Sequence, residues 1–287
     1  MATIARIIVT ELGLSPQNRK LFSQFIAASK QLLPDGIKHQ FLLLPAAFLK
    51  FSINNDSLSN IPLFAPEHKT AIQNHTDIEA LKEQAFIEFN QAFNNEMLKE
   101  LQSVAHYLVI GIDSTCGRIQ LVLTYDLQNE TPLHWTGKTY PKPGERERLI
   151  RMPMDSHFIK IGSQRIAIFQ CNDLAIFNQR HQPLFSPFED ERRGAKRRTD
   201  TPAGELKCPF IDATLDFAPD VMLHLPHSEG TWGAKFAKLN AWLRRKHKGK
   251  GLQHFASGLL NPSLYPLSDT QGGDVKTFAN GTWIAAR

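Results

Sequence analysis

The chain has 287 residues, 42% hydrophobic and 21% charged, with a formal net charge of +5, enough apolar material for one large core or two small ones and an ordinary charge content for a globular protein. Its three cysteines, Cys116, Cys171 and Cys208, form no CxxC pair, which argues against a disulfide framework and a thiolate zinc site. No apolar run approaches the ~20 residues that span a bilayer, and the N-terminus lacks the basic and long apolar regions of a signal peptide, so a soluble cytoplasmic protein without metal or cofactor is expected.

Residues 3–10 are β-branched and apolar and predict a buried strand. Ser15-Pro16 fits a helix start, and Leu21, Phe22, Phe25, Ile26, Leu32 and Leu33 recur at helical spacing up to the turn Pro34-Asp35-Gly36. Residues 40–45 predict a second strand ending at Pro45, followed by Ala46 and Ala47. The polar stretch 50–66 predicts a surface loop. A single long helix is expected over 76–104, where Thr76 and Glu79 have capping-box spacing and Leu81, Phe86, Phe89, Phe93 and Leu98 make an apolar face.

Strands are expected at 105–112 and 119–126, then a charged loop at 138–148. A hairpin follows at 157–161 and 165–171, turning at Gly162-Ser163 and ending on Cys171. Residues 178–216, rich in Pro and Arg, predict an inserted polar loop. Strands at 220–225, 254–261 and 282–286 and a basic amphipathic helix at 232–248 complete the chain. Strands alternating with helices predict an α/β fold in one domain, 1–287.

Chemistry concentrates at Cys171. A thiol at the carboxyl end of a buried strand sits where α/β proteins place reactive groups, although free cysteine is also among the most buried residue types. A cysteine that attacks an amide or nitrile needs a base for its proton, a cation or amide groups for the developing anion and an acid for the leaving nitrogen. Lys138 and Glu145 lie on the loop before the hairpin that delivers Cys171.

The run RIAIFQCNDLAIFN (165–178) resembles the nucleophile strand and elbow of the nitrilase superfamily of carbon–nitrogen hydrolases. WTGKTYPKPGE (135–145) is similar to that superfamily's lysine loop, and FAPDVMLHLPH (217–227) to the strand after its nucleophile. The three stand in the family's order, and the resemblance covers most of residues 3–262. It implies a four-layer α-β-β-α sandwich and hydrolysis of a small non-peptide amide or nitrile through a thioester or thioimidate on Cys171. It also implies Lys138 as the catalytic lysine, Glu145 as its supporting glutamate, Asn172 and Asp173 at the oxyanion or pocket, and a homodimer. His224 and His227 flank Pro226, and one of them, with His227 carried as the candidate, would line the pocket.

One departure stands out. The family places its general-base glutamate after a proline at the end of the second strand, and here that position is Ala46. Either Glu145, Glu189, Asp190 or Glu191 stands in, or the chain is a catalytically degenerate protein that binds a ligand or partner. The basic segments 191–198 and 243–250, with Arg192, Arg193, Lys196, Arg197, Arg198, Arg244, Arg245 and Lys246, fit either an anionic partner or simply solvated surface.

Overall fold

The apolar runs at 40–45, 105–112, 119–126, 165–171 and 220–225 all form strands. The computed structural model describes residues 4–8, 26, 27, 30, 38–53, 75–140, 149–177, 202–227, 232–257, 274–277 and 283–286. In chain order the strands are β1 (Ile4–Ile8), β2 (His39–Leu43), β3 (Leu49–Phe51), β4 (Ala105–Ser114), β5 (Gln120–Asp126), β6 (Thr131–Gly137), β7 (Phe158–Ile161), β8 (Gln164–Gln170), β9 (Val221–Leu225), β10 (Gln253–Ala256), β11 (Asp274–Thr277) and β12 (Trp283–Ala286). The α-helices are α1 (His75–Ala92), α2 (Asn95–Gln102), α3 (Pro202–Phe217) and α4 (Trp232–Lys246), with 3-10 turns at Met154–His157 and Cys171–Phe177.

Two sheets result. The larger is ordered β11-β12-β1-β2-β4-β5-β6 with β3 beside β4, and the smaller is β10-β9-β8-β7. β1, β2 and β4 run parallel to one another, as do β8, β9 and β10. Strand alternation gives each sheet two apolar faces. In β2, Phe41 and Leu43 join Val109, Val122, Ile166, Ile168, Val221 and Leu223 in a core drawn from both sheets. Leu42 and Leu44 turn the other way, into a core with Leu81, Phe89 and Leu101 of α1 and α2. In the smaller sheet Ala167, Phe169 and Met222 face away from the shared core and pack with Phe210 and Leu215 of α3 and Trp242 and Leu243 of α4.

Four elements differ from the sequence reading. The long helical pattern divides at Asn94, whose extended backbone (φ −72°, ψ 168°) and side chain, accepting from the Met97 N–H at 2.9 Å, start α2 afresh. Lys50 and Phe51, expected to begin a loop, instead pair with β4 as part of β3. Residues 131–137 form β6, which Pro132 disguises; it ends the sheet's strand order at an edge, where a missing N–H is tolerated. The second part of the expected inserted loop is α3, where Phe210, Ile211, Thr214 and Leu215 are buried at helical spacing despite Pro202, Gly204 and Pro209. Most of the expected helix at 17–33 and the rest of that insertion lie outside the described residues.

Candidate active site

The parallel strands of both sheets bring their carboxyl ends together, and the side chains of interest stand there. β8 ends on Gln170, and Cys171 follows in the left-handed region with φ 46°. That conformation costs a residue with a Cβ of order 1–3 kcal/mol, so the surroundings must hold it. Asp173 does so from one side, accepting the Gln170 N–H on Oδ2 at 3.1 Å. His224 of β9 does so from the other, donating from Nε2 to the Cys171 carbonyl oxygen at 3.0 Å.

Lys138 follows β6 and is fully buried. Gly137 makes this placement possible: a Cβ there would stand 2.2 Å from the Gln120 carbonyl oxygen, so any side chain would prise β6 from β5. The Lys138 N–H donates to that same oxygen at 2.9 Å. Asp173 ties the lysine segment to the cysteine turn, because its Oδ1 accepts the N–H groups of Thr139 (3.1 Å) and Tyr140 (2.7 Å). Burial pushes the Asp173 carboxyl up to about 7, against the pull of these donors and the Lys138 charge. The side chain accepts three backbone N–H groups and so shapes the turn. Asn172 lies in the same 3-10 turn.

Ala46 is fully buried and belongs to the core between the sheets. Gly111 of β4 lies against it so closely that a Cβ would meet the Ala46 Cα at 2.4 Å. Ala46 thus presents an apolar surface between the sheets.

The acid at this end of the molecule comes from elsewhere. Asp113, near the end of β4 and only 4% exposed, places Oδ2 2.6 Å from Nε2 of His227. Its Oδ1 accepts the Gln170 side-chain N–H at 2.9 Å, a bond that crosses from the smaller sheet to the larger. Burial lowers the proton affinity of His227, but the hydrogen bond and charge of Asp113, joined by the Cys171 thiol, carry it up to about 10. His227 is thus an imidazolium at neutral pH, held between a carboxylate and the thiol.

Of the residues singled out from sequence, the structure brings Cys171 and His227 together, and sets Lys138 against Asp173. Glu145, Arg192, Arg193, Lys196, Arg197, Arg198, Glu189, Asp190, Glu191 and the Asn172 side chain lie outside the described residues. Arg244, Arg245 and Lys246 form the last turn of α4, where Lys246 pairs with Asp216. Asp113 and Gln170 were missed. Their signal was available: a carboxylate and an amide, each near the carboxyl end of a strand read as apolar. Among the described residues no cluster of three His, Cys, Asp or Glu side chains could hold a metal, and no helix is long and apolar enough to cross a membrane.

No family model matches the chain, and no curated protein does. Solved structures do. An amidase from Nesterenkonia sp. AN1 aligns at 15% identity and a TM-score of 0.49, over 99% of this chain and 92% of its own. A mutant of that amidase, with the acetamide moiety of fluoroacetamide on its active-site cysteine, aligns at 13% identity and a TM-score of 0.48, over 100% and 90%. Another mutant, described as from the nitrilase superfamily, gives 14% and 0.45 over 100% and 90%. Scores of this size carry no argument for the chemistry, which rests on the side chains above.

Proposed function

We propose that this chain is a nitrilase-like protein with a four-layer α-β-β-α sandwich, and that it hydrolyses a carbon–nitrogen bond in a small non-peptide amide or nitrile. Three cores support the layers: one between the sheets and one between each sheet and its helices. The observation that carries the chemistry is Cys171, held at positive φ beside a charged imidazole. Strain of this kind is kept where a structure over-determines it, typically at reactive sites. A cation next to a thiol favours the thiolate, which is the nucleophile.

The thiolate Sγ attacks the carbonyl or nitrile carbon, and the negative charge moves to the oxygen or nitrogen of the substrate. In this reading the buried Lys138, whose charge also acts on Asp173, helps to hold that negative charge. From an amide the nitrogen departs with a proton and the acyl group stays on sulfur, to be released by water; from a nitrile the thioimidate first adds water, and ammonia then departs to leave the same acyl group.

A second reading, a degenerate ligand- or partner-binding module, is favoured by the apolar wall at Ala46. Incubation with a panel of small amides and nitriles, followed by intact mass measurement, separates the two. The enzyme reading expects a mass increment on Cys171 that is absent from Cys171→Ala. A chain inert to the whole panel, whose Cys171 also resists alkylation, is the binding module.

A further inference from the structure

We infer that His227, oriented by Asp113, is the proton carrier for Cys171 and fills the role that a carboxylate after β2 would otherwise hold. This rests on Cys171 being the nucleophile.

The geometry comes first. Nε2 of His227 is engaged by Asp113 at 2.6 Å, which leaves Nδ1 as the nitrogen able to exchange a proton. Nδ1 is buried, and the ring's side-chain hydrogen bonds are with Asp113 and Cys171. A ring held between a carboxylate and a thiol is placed to carry the thiol's proton. Asp113 is itself fixed by Gln170, the residue before the nucleophile, so the carboxylate, the ring and the thiol are positioned together.

The other titratable groups at this end are committed. Asp173 accepts three backbone N–H groups, the Lys138 charge acts on Asp173, and His224 binds the Cys171 carbonyl oxygen. The groups that act on His227 itself are Asp113 from β4 and Cys171 from the end of β8.

The electrostatics then run in the order the reaction needs. Before attack the imidazolium is held by two anions, Asp113 and the thiolate. When Sγ bonds to the substrate carbon, one of those anions disappears, and His227 becomes a stronger acid as the leaving nitrogen requires a proton. Nδ1–H gives that proton, the C–N bond breaks, and ammonia or an amine leaves. The neutral ring next takes a proton from water, whose oxygen attacks the acyl carbon. The C–S bond breaks, the carboxylic product leaves, and the thiolate–imidazolium pair is restored. For an amide one water is consumed; a nitrile first gives a thioimidate that adds a further water before its nitrogen leaves, so two are consumed, and in neither case is a redox partner needed.

The test reads thiol reactivity and not turnover. Cys171 is alkylated with iodoacetamide across a pH series and followed by peptide mass, with the exposed Cys116 as internal reference. The expected wild-type result is a rate for Cys171 that stays flat between about pH 5.5 and about pH 8, while Cys116 climbs ~10-fold per pH unit toward an ordinary thiol value near 8.5. In His227→Ala, or His227→Gln as a shape-preserving control, the Cys171 rate at about pH 6 drops by about 10²-fold and its profile takes the slope of Cys116. Asp113→Asn gives an intermediate profile. A wild-type Cys171 profile that climbs like that of Cys116, or a flat profile retained in both His227 variants, overturns the inference. The wild-type profile decides even if a variant does not fold. A flat profile with no acyl adduct from any amide or nitrile would sink the proposed substrate class and leave the proton carrier standing; a climbing profile with an adduct would do the reverse.

Discussion

His157 is fully buried and His227, with 27% of its side chain exposed, is partly buried, and their protonation is opposite. His157 lies against the Ile168 carbonyl oxygen (Nδ1, 2.6 Å) and the Thr139 hydroxyl (Nε2, 2.8 Å), among Phe158, Phe169 and Phe210. Burial drives it down to about 4, so it is a neutral ring that stitches the lysine segment to β8. His227 also loses proton affinity to burial, but a carboxylate at 2.6 Å reverses the sign and takes it to about 10. The neighbour, not the depth, decides which histidine carries charge. A dipole satisfies a neutral ring, whereas an anion is needed to keep an imidazolium out of water.

Four measurements break or sharpen that contrast. The largest effect is expected from Ala46→Glu. It places a carboxylate in the apolar core between the sheets without the histidine partner that Asp113 has, and an uncompensated buried charge costs about 3–5 kcal/mol; urea unfolding should show the loss. A variant as stable as wild type would mean that the wall is more polar than its lining indicates.

Asp173→Asn comes next. One carboxylate oxygen becomes an N–H₂ group facing a backbone N–H, and the resulting unsatisfied donors should lower stability by about 1–3 kcal/mol. The third prediction uses the same variant. The folded protein keeps His157 neutral down to about 4, against an ordinary 6.5. Between those values the unfolded chain binds the extra proton, so this contribution is full above about 6.5 and falls as the pH drops toward 4. Asp173 slopes the other way. Its folded value of about 7 exceeds the ordinary 3.8, so its contribution is full below about 3.8 and is lost as the pH rises through 7. The slopes oppose each other in wild type. In Asp173→Asn the urea midpoint should therefore fall more steeply from about pH 6.5 to about pH 4 than in wild type; equal slopes would remove Asp173 from the balance, and a flat variant profile would remove His157.

The smallest effect is expected at the surface. Lys246→Ala breaks an ion pair whose acid, Asp216, is 73% exposed, and should change stability by no more than ~1 kcal/mol.

Much of this architecture could be read from the residues, and the exceptions have physical causes. Unbroken apolar runs such as VMLHL (221–225) announce strands buried on both faces. β6 was obscured by Pro132, which an edge strand accommodates, and α3 by Pro202 at its start and Pro209 inside it. Cys171, Lys138 and His227 stand out in the sequence because each sits beside a strand end and matches a short motif. Asp113 also stands at a strand end but was passed over because GIDS (111–114) matches no motif. Its partner lies 114 residues away in sequence, and that meeting depends on how the two sheets are laid together.

That meeting also has a mechanical side. Cys171 and His227 ride on the smaller sheet and Asp113 on the larger, and the Gln170 bridge of 2.9 Å and the Gln40–Gln164 bridge of 2.6 Å span the joint between them. A slip of about 1 Å along that joint would break no strand, yet would be enough to pull a carboxylate from its ring and misplace reacting groups. The contact between Asp113 and His227 is therefore only as secure as the seating of one sheet on the other.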